Sequence, residues 1–181
     1  MRSFSRAIAA FTLVLGAACT TQCALAAVPA VRCAARADFP NAGAANAAGE
    51  LRRAVERGAL YRALAASSPA VSCEVEEADG RTVLAWRFRD GASLRVERDA
   101  AIEYAHQEAR VGRSFRGNGI AVLKRAERAA FGTGGCGIDW RRPASATART
   151  SVFSGDVCNC EARIGRDEAG RVQTLAFRGA C

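Results

Sequence analysis

Histidine, lysine and long apolar runs are scarce in this chain, which has His106 as its one histidine and Lys124 as its one lysine. Leu123 precedes Lys124 where a Walker-type phosphate loop needs glycine, so that class of nucleotide site is excluded. A histidine-rich metal site is excluded by the same scarcity, and we predict neither a metal nor a cofactor. Beyond residue 26 no apolar run approaches the roughly 20 residues of a membrane-spanning helix, which predicts no transmembrane segment.

The N-terminus has the pattern of a cleavable signal peptide over residues 1–26. Arg2 and Arg6 supply the positive start, residues 7–18 are almost wholly apolar, and Ala24-Leu25-Ala26 is a small-x-small cleavage site. We therefore predict a periplasmic or secreted protein. The alternative is a lipoprotein anchored at Cys19, but its leucine stands four residues before the cysteine instead of three, and processing there leaves an odd number of thiols.

Cleavage after residue 26 leaves six cysteines, and an even number in an exported chain of this size is typical of a disulfide framework. Cys158 and Cys160 lie two apart in a predicted strand, so each is expected to bond elsewhere, because a bridge between them would close a strained ring. A predicted hairpin brings Cys181 back toward Cys158. Of the fifteen connectivities, the predicted one is Cys33–Cys73, Cys136–Cys160 and Cys158–Cys181.

The periodicity predicts an α+β fold with two helix-plus-antiparallel-β-meander halves, in one compact domain over residues 27–181. An extended lead-in (27–46) precedes the first half (47–111), whose helix at 47–66 has a candidate break at Gly58. The second half (112–181) has a helix at 119–131, capped by Gly132, and three or four strands. The predicted strands are 71–76, 82–89, 93–97, 101–110, 151–153, 157–165 and 171–178.

Alternation in the first four strands predicts one apolar face and one wet face. His106 is in phase with Ile102 and Tyr104, so it is expected at the inward-facing end of the fourth strand. The other predicted apolar positions are Val71, Cys73, Val75, Leu84, Trp86, Phe88, Leu94 and Val96.

The sharpest basic cluster lies between residues 110 and 128, where only Glu127 is acidic. With the signal peptide removed, the chain keeps a net charge of +6, which favours anionic partners. Nucleic acid is not expected, because the chain is exported and only Phe115 could stack on a base here. The predicted partner is an unknown protein or an anionic component of the cell envelope. The candidate binding residues are Arg113, Phe115, Arg116, Lys124, Arg125 and Arg128.

No catalytic constellation stands out, so the sequence favours a binding module that acts by surface complementarity, as inhibitor, immunity and envelope accessory proteins do. The alternative is an envelope enzyme, either a thiol oxidoreductase using Cys158 and Cys160 or a hydrolase using His106. The glycines of residues 132–137 match a dinucleotide-binding fingerprint, but they follow a predicted helix and precede a strand, which is the wrong context for it.

Overall fold

A computed structural model describes residues 31–35, 42–78, 80–99, 104–132 and 135–180. The predicted signal peptide and Cys181 lie outside these ranges. Within them the chain forms three helices and nine strands. The helices are α1 (Ala42–Arg57), α2 (Ala59–Ala65) and α3 (Gly119–Phe131), and the strands are β1 (Cys33–Ala35), β2 (Ala70–Ala78), β3 (Arg81–Phe88), β4 (Ser93–Asp99), β5 (Tyr104–Arg110), β6 (Ser145–Ala146), β7 (Thr150–Ser154), β8 (Glu161–Arg166) and β9 (Val172–Gly179).

All nine strands belong to one mixed sheet with the order β1-β2-β3-β4-β5-β9-β8-β7-β6. The first pair, β1 and β2, is parallel, and every other pair is antiparallel. The α+β class is therefore confirmed. The division into two meander halves is not confirmed, because β5 pairs with β9 and joins both sets of strands in a continuous sheet.

The helices pack on one face of this sheet and form a single apolar core with it. Trp86 and Leu123 are at most 1% exposed in that core, as are Leu175 and Phe177 from β9. The ring of Tyr61 in α2 meets that of Trp86 edge-on, with 5.6 Å between centroids. Within the described ranges, no helix has the length and apolar character needed to cross a membrane.

Local signals place the break at Gly58 and the bounds of the third helix correctly, but the first helix begins at Ala42, inside the predicted lead-in of 27–46. Gly58 separates α1 from α2, and a Cβ there would come within 2.8 Å of the Val55 carbonyl oxygen. The third helix spans 119–131 as predicted, with the Asn118 side chain accepting a hydrogen bond from the Ala121 amide at 3.1 Å. Gly132 ends it with a φ of 74°, a conformation that glycine adopts without strain.

The predicted inward position of His106 is wrong. The register aligns Ala109 with Leu94 and with Leu175, and Ala109 is 0% exposed, so Ala105, Gln107 and Ala109 face the helices. Side chains alternate along a strand, so His106 lies on the opposite, helix-free face. Ile102, which set the predicted phase, is outside the described residues.

Two further predictions are corrected at the start of the sheet. Val71 is 52% exposed, because the register shifts between Ala70 and Ser72 and turns its side chain away from the core. Cys33–Ala35, which belongs to the predicted lead-in, forms a strand parallel to β2.

Candidate functional site

Three loops at one end of the sheet enclose a cleft of about 890 Å³. They are the β3–β4 turn, the β5–α3 segment and the β8–β9 hairpin. The three loops meet because Arg110, at the end of β5, aligns with Ser93 at the start of β4 and with Thr174 near the start of β9. The Val111 amide donates to the Gln173 carbonyl at 2.8 Å, which ties two of the loops together. We call this the basic cleft; its lining is Asp90, Gly91, Arg110, Val111, Gly112, Arg113, Phe115, Arg116, Gly117, Asp167, Arg171, Val172 and Gln173.

Four arginines line the basic cleft, and two of them are held in place. Arg116 donates from Nη1 to the carbonyl oxygens of Arg113 and Phe115, at 3.1 and 3.3 Å. Arg171 donates from Nε to Asp167 Oδ2 at 2.8 Å. Arg110 and Arg113 make no side-chain hydrogen bond or ion pair within the described ranges. The cleft thus presents two uncommitted guanidinium groups beside two that are hydrogen-bonded within the protein.

Both carboxylates of the lining are engaged in holding turns. Asp90 accepts hydrogen bonds from the Ser114 hydroxyl and, at 3.1 Å, from the Ala92 amide. Burial alone would raise the pKa of Asp90, but these hydrogen bonds outweigh it and lower the pKa below its usual value. The pKa of Asp167 is also lowered, first by hydrogen bonds from the Arg171 backbone and side chain.

Glycine and aromatic positions shape the wall of the cleft. A Cβ at Gly112 would collide with the Asp90 carboxylate, so glycine lets the β5–α3 segment lie against the β3–β4 turn. A Cβ at Gly117 would lie 2.6 Å from the Phe115 ring, which therefore rests on that backbone. Phe115, Val111 and Val172 are partly buried against the core and form the apolar part of the lining.

The structure divides the basic cluster that the sequence predicts. Arg113, Phe115 and Arg116 line the cleft, whereas Lys124, Arg125 and Arg128 lie further along α3 and are not part of it. That helix buries Val122, Leu123, Ala126 and Glu127, so Arg125 and Arg128 are on its solvent side. The predicted site residues did not include Arg171, which begins the predicted strand 171–178; its position beside the turn before that strand is the signal that could have indicated it.

The disulfides follow the predicted pairing as far as the described residues extend. Cys33 is bonded to Cys73, and Cys136 to Cys160. Cys158 is also disulfide-bonded, but its predicted partner, Cys181, is outside the described ranges. The predicted strand through 158 is wrong, because Cys158 and Asn159 have φ values of 59° and 44° and form a turn before β8. Cys160 is 2% exposed and bonded to Cys136, so in this state it offers no thiolate.

His106 lies in a shallow depression of about 290 Å³ on the helix-free face. Its strand neighbours across the sheet are Glu97 and Arg178. Among the described residues that line the depression, the one side-chain hydroxyl is that of Thr174. The geometry therefore gives the hydrolase alternative no serine beside its histidine.

Comparison of the chain with protein families, curated proteins and solved structures found no match. The functional argument therefore depends on the geometry of the described residues. Among these, no three histidine, cysteine, aspartate or glutamate side chains are grouped so that they could hold a metal ion. The basic cleft is the site with the clearest chemical character.

Proposed function

We propose that this protein is an exported, disulfide-bonded binding protein whose basic cleft holds an anionic partner of the cell envelope. Export is supported by the pattern of residues 1–26 and by the Cys33–Cys73 and Cys136–Cys160 bonds, since disulfides persist in oxidising compartments. The proposal places the protein in the periplasm or the external medium. It has the properties expected of an inhibitor, an immunity protein or an envelope accessory protein.

The observation that carries the proposal is the uncompensated charge of the cleft. Arg110 and Arg113 have no ion-pair partner in the described ranges, and Asp90 and Asp167 are committed to their own turns. A concave site with a net excess of charge of one sign raises the local concentration of oppositely charged partners and speeds their association. An anionic partner would supply the missing counter-charge.

On the helix-free face of the sheet most arginines are paired with carboxylates, whereas the exposed Arg87 makes no ion pair among the described residues. Arg95 bonds both Glu76 and Glu97, at 3.2 and 2.9 Å. Arg163 and Arg178 share Glu161, at 3.0 and 3.3 Å. These exposed pairs add little stability individually, but they leave that face nearly balanced in charge. The positive potential is therefore expected at the cleft.

The cleft is also held in shape before any partner arrives. The Arg89 amide donates to the Pro69 carbonyl at 3.0 Å, and the Asp90 amide donates to the Ser68 hydroxyl at 3.0 Å. On the opposite side, the Asp167 amide donates to the Arg171 carbonyl at 2.9 Å and closes the hairpin. A site with fixed loops loses less conformational entropy on binding, which favours affinity.

The test compares two double charge reversals for capture of partners from an envelope extract. Arg113→Glu with Arg116→Glu changes the cleft, and we expect capture to fall about tenfold or more, since one lost charge-assisted contact already costs about that factor. The matched control is Arg53→Glu with Arg142→Glu, which changes net charge equally at exposed positions outside the cleft. It should retain capture.

Two outcomes would contradict the proposal. An equal loss in both double variants would show that capture follows net charge and not the cleft. If capture falls instead in Arg125→Glu with Arg128→Glu, while the cleft variant retains it, the binding face is α3.

A further inference from the structure

The charge and size of the basic cleft constrain the chemistry of its ligand. Its lining has four arginines and two carboxylates, an excess of two positive charges. Its volume of about 890 Å³ is near the upper end for small-molecule sites. Resting on the proposed function, we infer that the cleft binds a phosphate monoester attached to an apolar or aromatic body.

A phosphate monoester matches the excess charge better than a single carboxylate does. At neutral pH it has a charge of about −1.5 to −2 and three acceptor oxygens. A carboxylate has one negative charge and two oxygens, which would leave one guanidinium uncompensated in the cleft. The planar guanidinium fork donates two parallel hydrogen bonds to a phosphate. Arg110 and Arg113, which lack partners among the described residues, are the first candidates to supply these bonds.

The two hydrogen-bonded arginines can add further contacts to the anion. Arg116 uses Nη1 for its carbonyl contacts, and Arg171 uses Nε for Asp167, so each retains further N–H donors. The amino end of α3 begins two residues after the cleft residue Gly117, and its positive end adds potential of the same sign. Asn118 caps only one of the free amides there.

The rest of the cleft suits the body that carries the phosphate. Phe115, Val111 and Val172 provide an apolar wall that remains partly exposed. A partly exposed phenyl ring can stack on an aromatic ligand or cover an aliphatic one. Inorganic phosphate would leave this wall in contact with water, so a phosphate with an attached body should bind more tightly than phosphate alone.

The experiment measures calorimetric binding of phenyl phosphate to the disulfide-bonded protein purified from its own compartment. Benzoate has the same ring with a single charge, and inorganic phosphate has the charge without the ring. We expect phenyl phosphate to bind about tenfold more tightly than benzoate, the factor that one charge-assisted contact is worth. It should also bind more tightly than inorganic phosphate, because its ring covers the apolar wall. Arg110→Gln and Arg113→Gln should each weaken phenyl phosphate about tenfold, whereas Arg53→Gln should leave its affinity unchanged. Phe115→Leu should weaken phenyl phosphate but not inorganic phosphate.

A second arm distinguishes a lipid headgroup from a soluble ester. Cosedimentation with phosphatidylcholine vesicles containing phosphatidic acid, compared with phosphatidylcholine alone, presents the same monoester on a membrane. Vesicle binding that Arg113→Gln abolishes would support the inference with a lipid source. Binding of phenyl phosphate without vesicle binding would support it with a soluble source.

The results that would overturn this inference differ from the results that would overturn the proposed function. If benzoate and phenyl phosphate bind equally, or if neither phenyl phosphate nor the vesicles bind, the phosphate monoester is wrong. The anionic partner would still stand if capture from the extract remained dependent on Arg113 and Arg116. Loss of that dependence, together with no binding of phenyl phosphate, would remove both proposals.

Discussion

Glu127 makes the clearest stability prediction, because it is a carboxylate buried in the core with two donors. It is 6% exposed on α3. Its Oε1 accepts the Cys136 amide at 2.9 Å, and its Oε2 accepts the Trp140 indole Nε1–H at 2.8 Å. The Trp140 ring packs on Phe153, with 5.4 Å between centroids. This one side chain therefore ties the segment after α3, which includes the Cys136–Cys160 bond, to the helix.

The magnitude follows from the two donors. A hydrogen bond to a charged group contributes about 1.5–3 kcal/mol, so Glu127→Ala should lower the free energy of unfolding by about 3–6 kcal/mol. Glu127→Gln keeps the volume, but a carboxamide has one acceptor oxygen, and its NH₂ group must face the other donor. That variant should lose about 2–3 kcal/mol. Trp140→Phe removes the indole donor, so Glu127→Gln should cost less stability in the Trp140→Phe background than in the unmodified protein.

The assay is urea unfolding with the disulfides intact, followed by circular dichroism. Glu50→Ala and Glu50→Gln are the matched controls, because Glu50 is exposed on α1 and its substitution should change stability by less than about 0.5 kcal/mol. For a chain of this size, each kcal/mol corresponds to about 2–4 °C in Tm, so Glu127→Ala should unfold at least about 6 °C lower. If Glu127→Ala is no more destabilising than Glu50→Ala, the two hydrogen bonds do not hold the segment.

Two further predictions concern the cleft and the disulfides. Ser114→Ala should raise the pKa of Asp90 toward its usual value, while the pKa of Asp167 stays lowered. Both values can be read by NMR from the carboxyl carbons. An unchanged pKa of Asp90 would show that the Ser114 hydrogen bond does not lower it. Because its folded pKa lies below the unfolded one, Asp90 stabilises the fold at neutral pH and loses this effect as pH falls through the folded pKa. Intact mass of the native protein should match a start near residue 27, with no thiol alkylated before reduction and six afterwards. Two labels before reduction, or lipid on Cys19, would contradict a closed framework.

Local sequence signals were sufficient for much of the fold. The apolar periodicity of 119–131 and its end at Gly132 lie within one segment, and α3 has those bounds. The hairpin glycines Gly80 and Gly91 also act locally, and both have positive φ values. Two of the predicted cysteine pairs are present, although they join residues 40 and 24 apart in the sequence.

Local signals could not show which face of β5 is buried. Its sequence, Tyr104-Ala105-His106-Gln107-Glu108-Ala109, has moderate apolar character on both faces, so alternation alone allowed either assignment. The choice is made by its neighbours, because Leu94 and Leu175 both oppose Ala109 and need a small buried partner between them. That information lies in β4 and in β9, and the second of these is distant in the sequence.

The cleft depends on the same distant pairing, which explains why a contiguous charge run located only part of it. Arg110 and Arg113 are near each other along the chain, but Arg171 reaches them only because β9 pairs with β5. Meanwhile the helical period carries Arg125 and Arg128 to the solvent side of α3, away from the cleft lining. Asp90 and Asp167 also lie in the cleft, so its net positive charge is smaller than its four arginines alone would give. Both carboxylates hold their own turns, so neither pairs with Arg110 or Arg113, and the proposed binding role of the cleft depends on these two arginines.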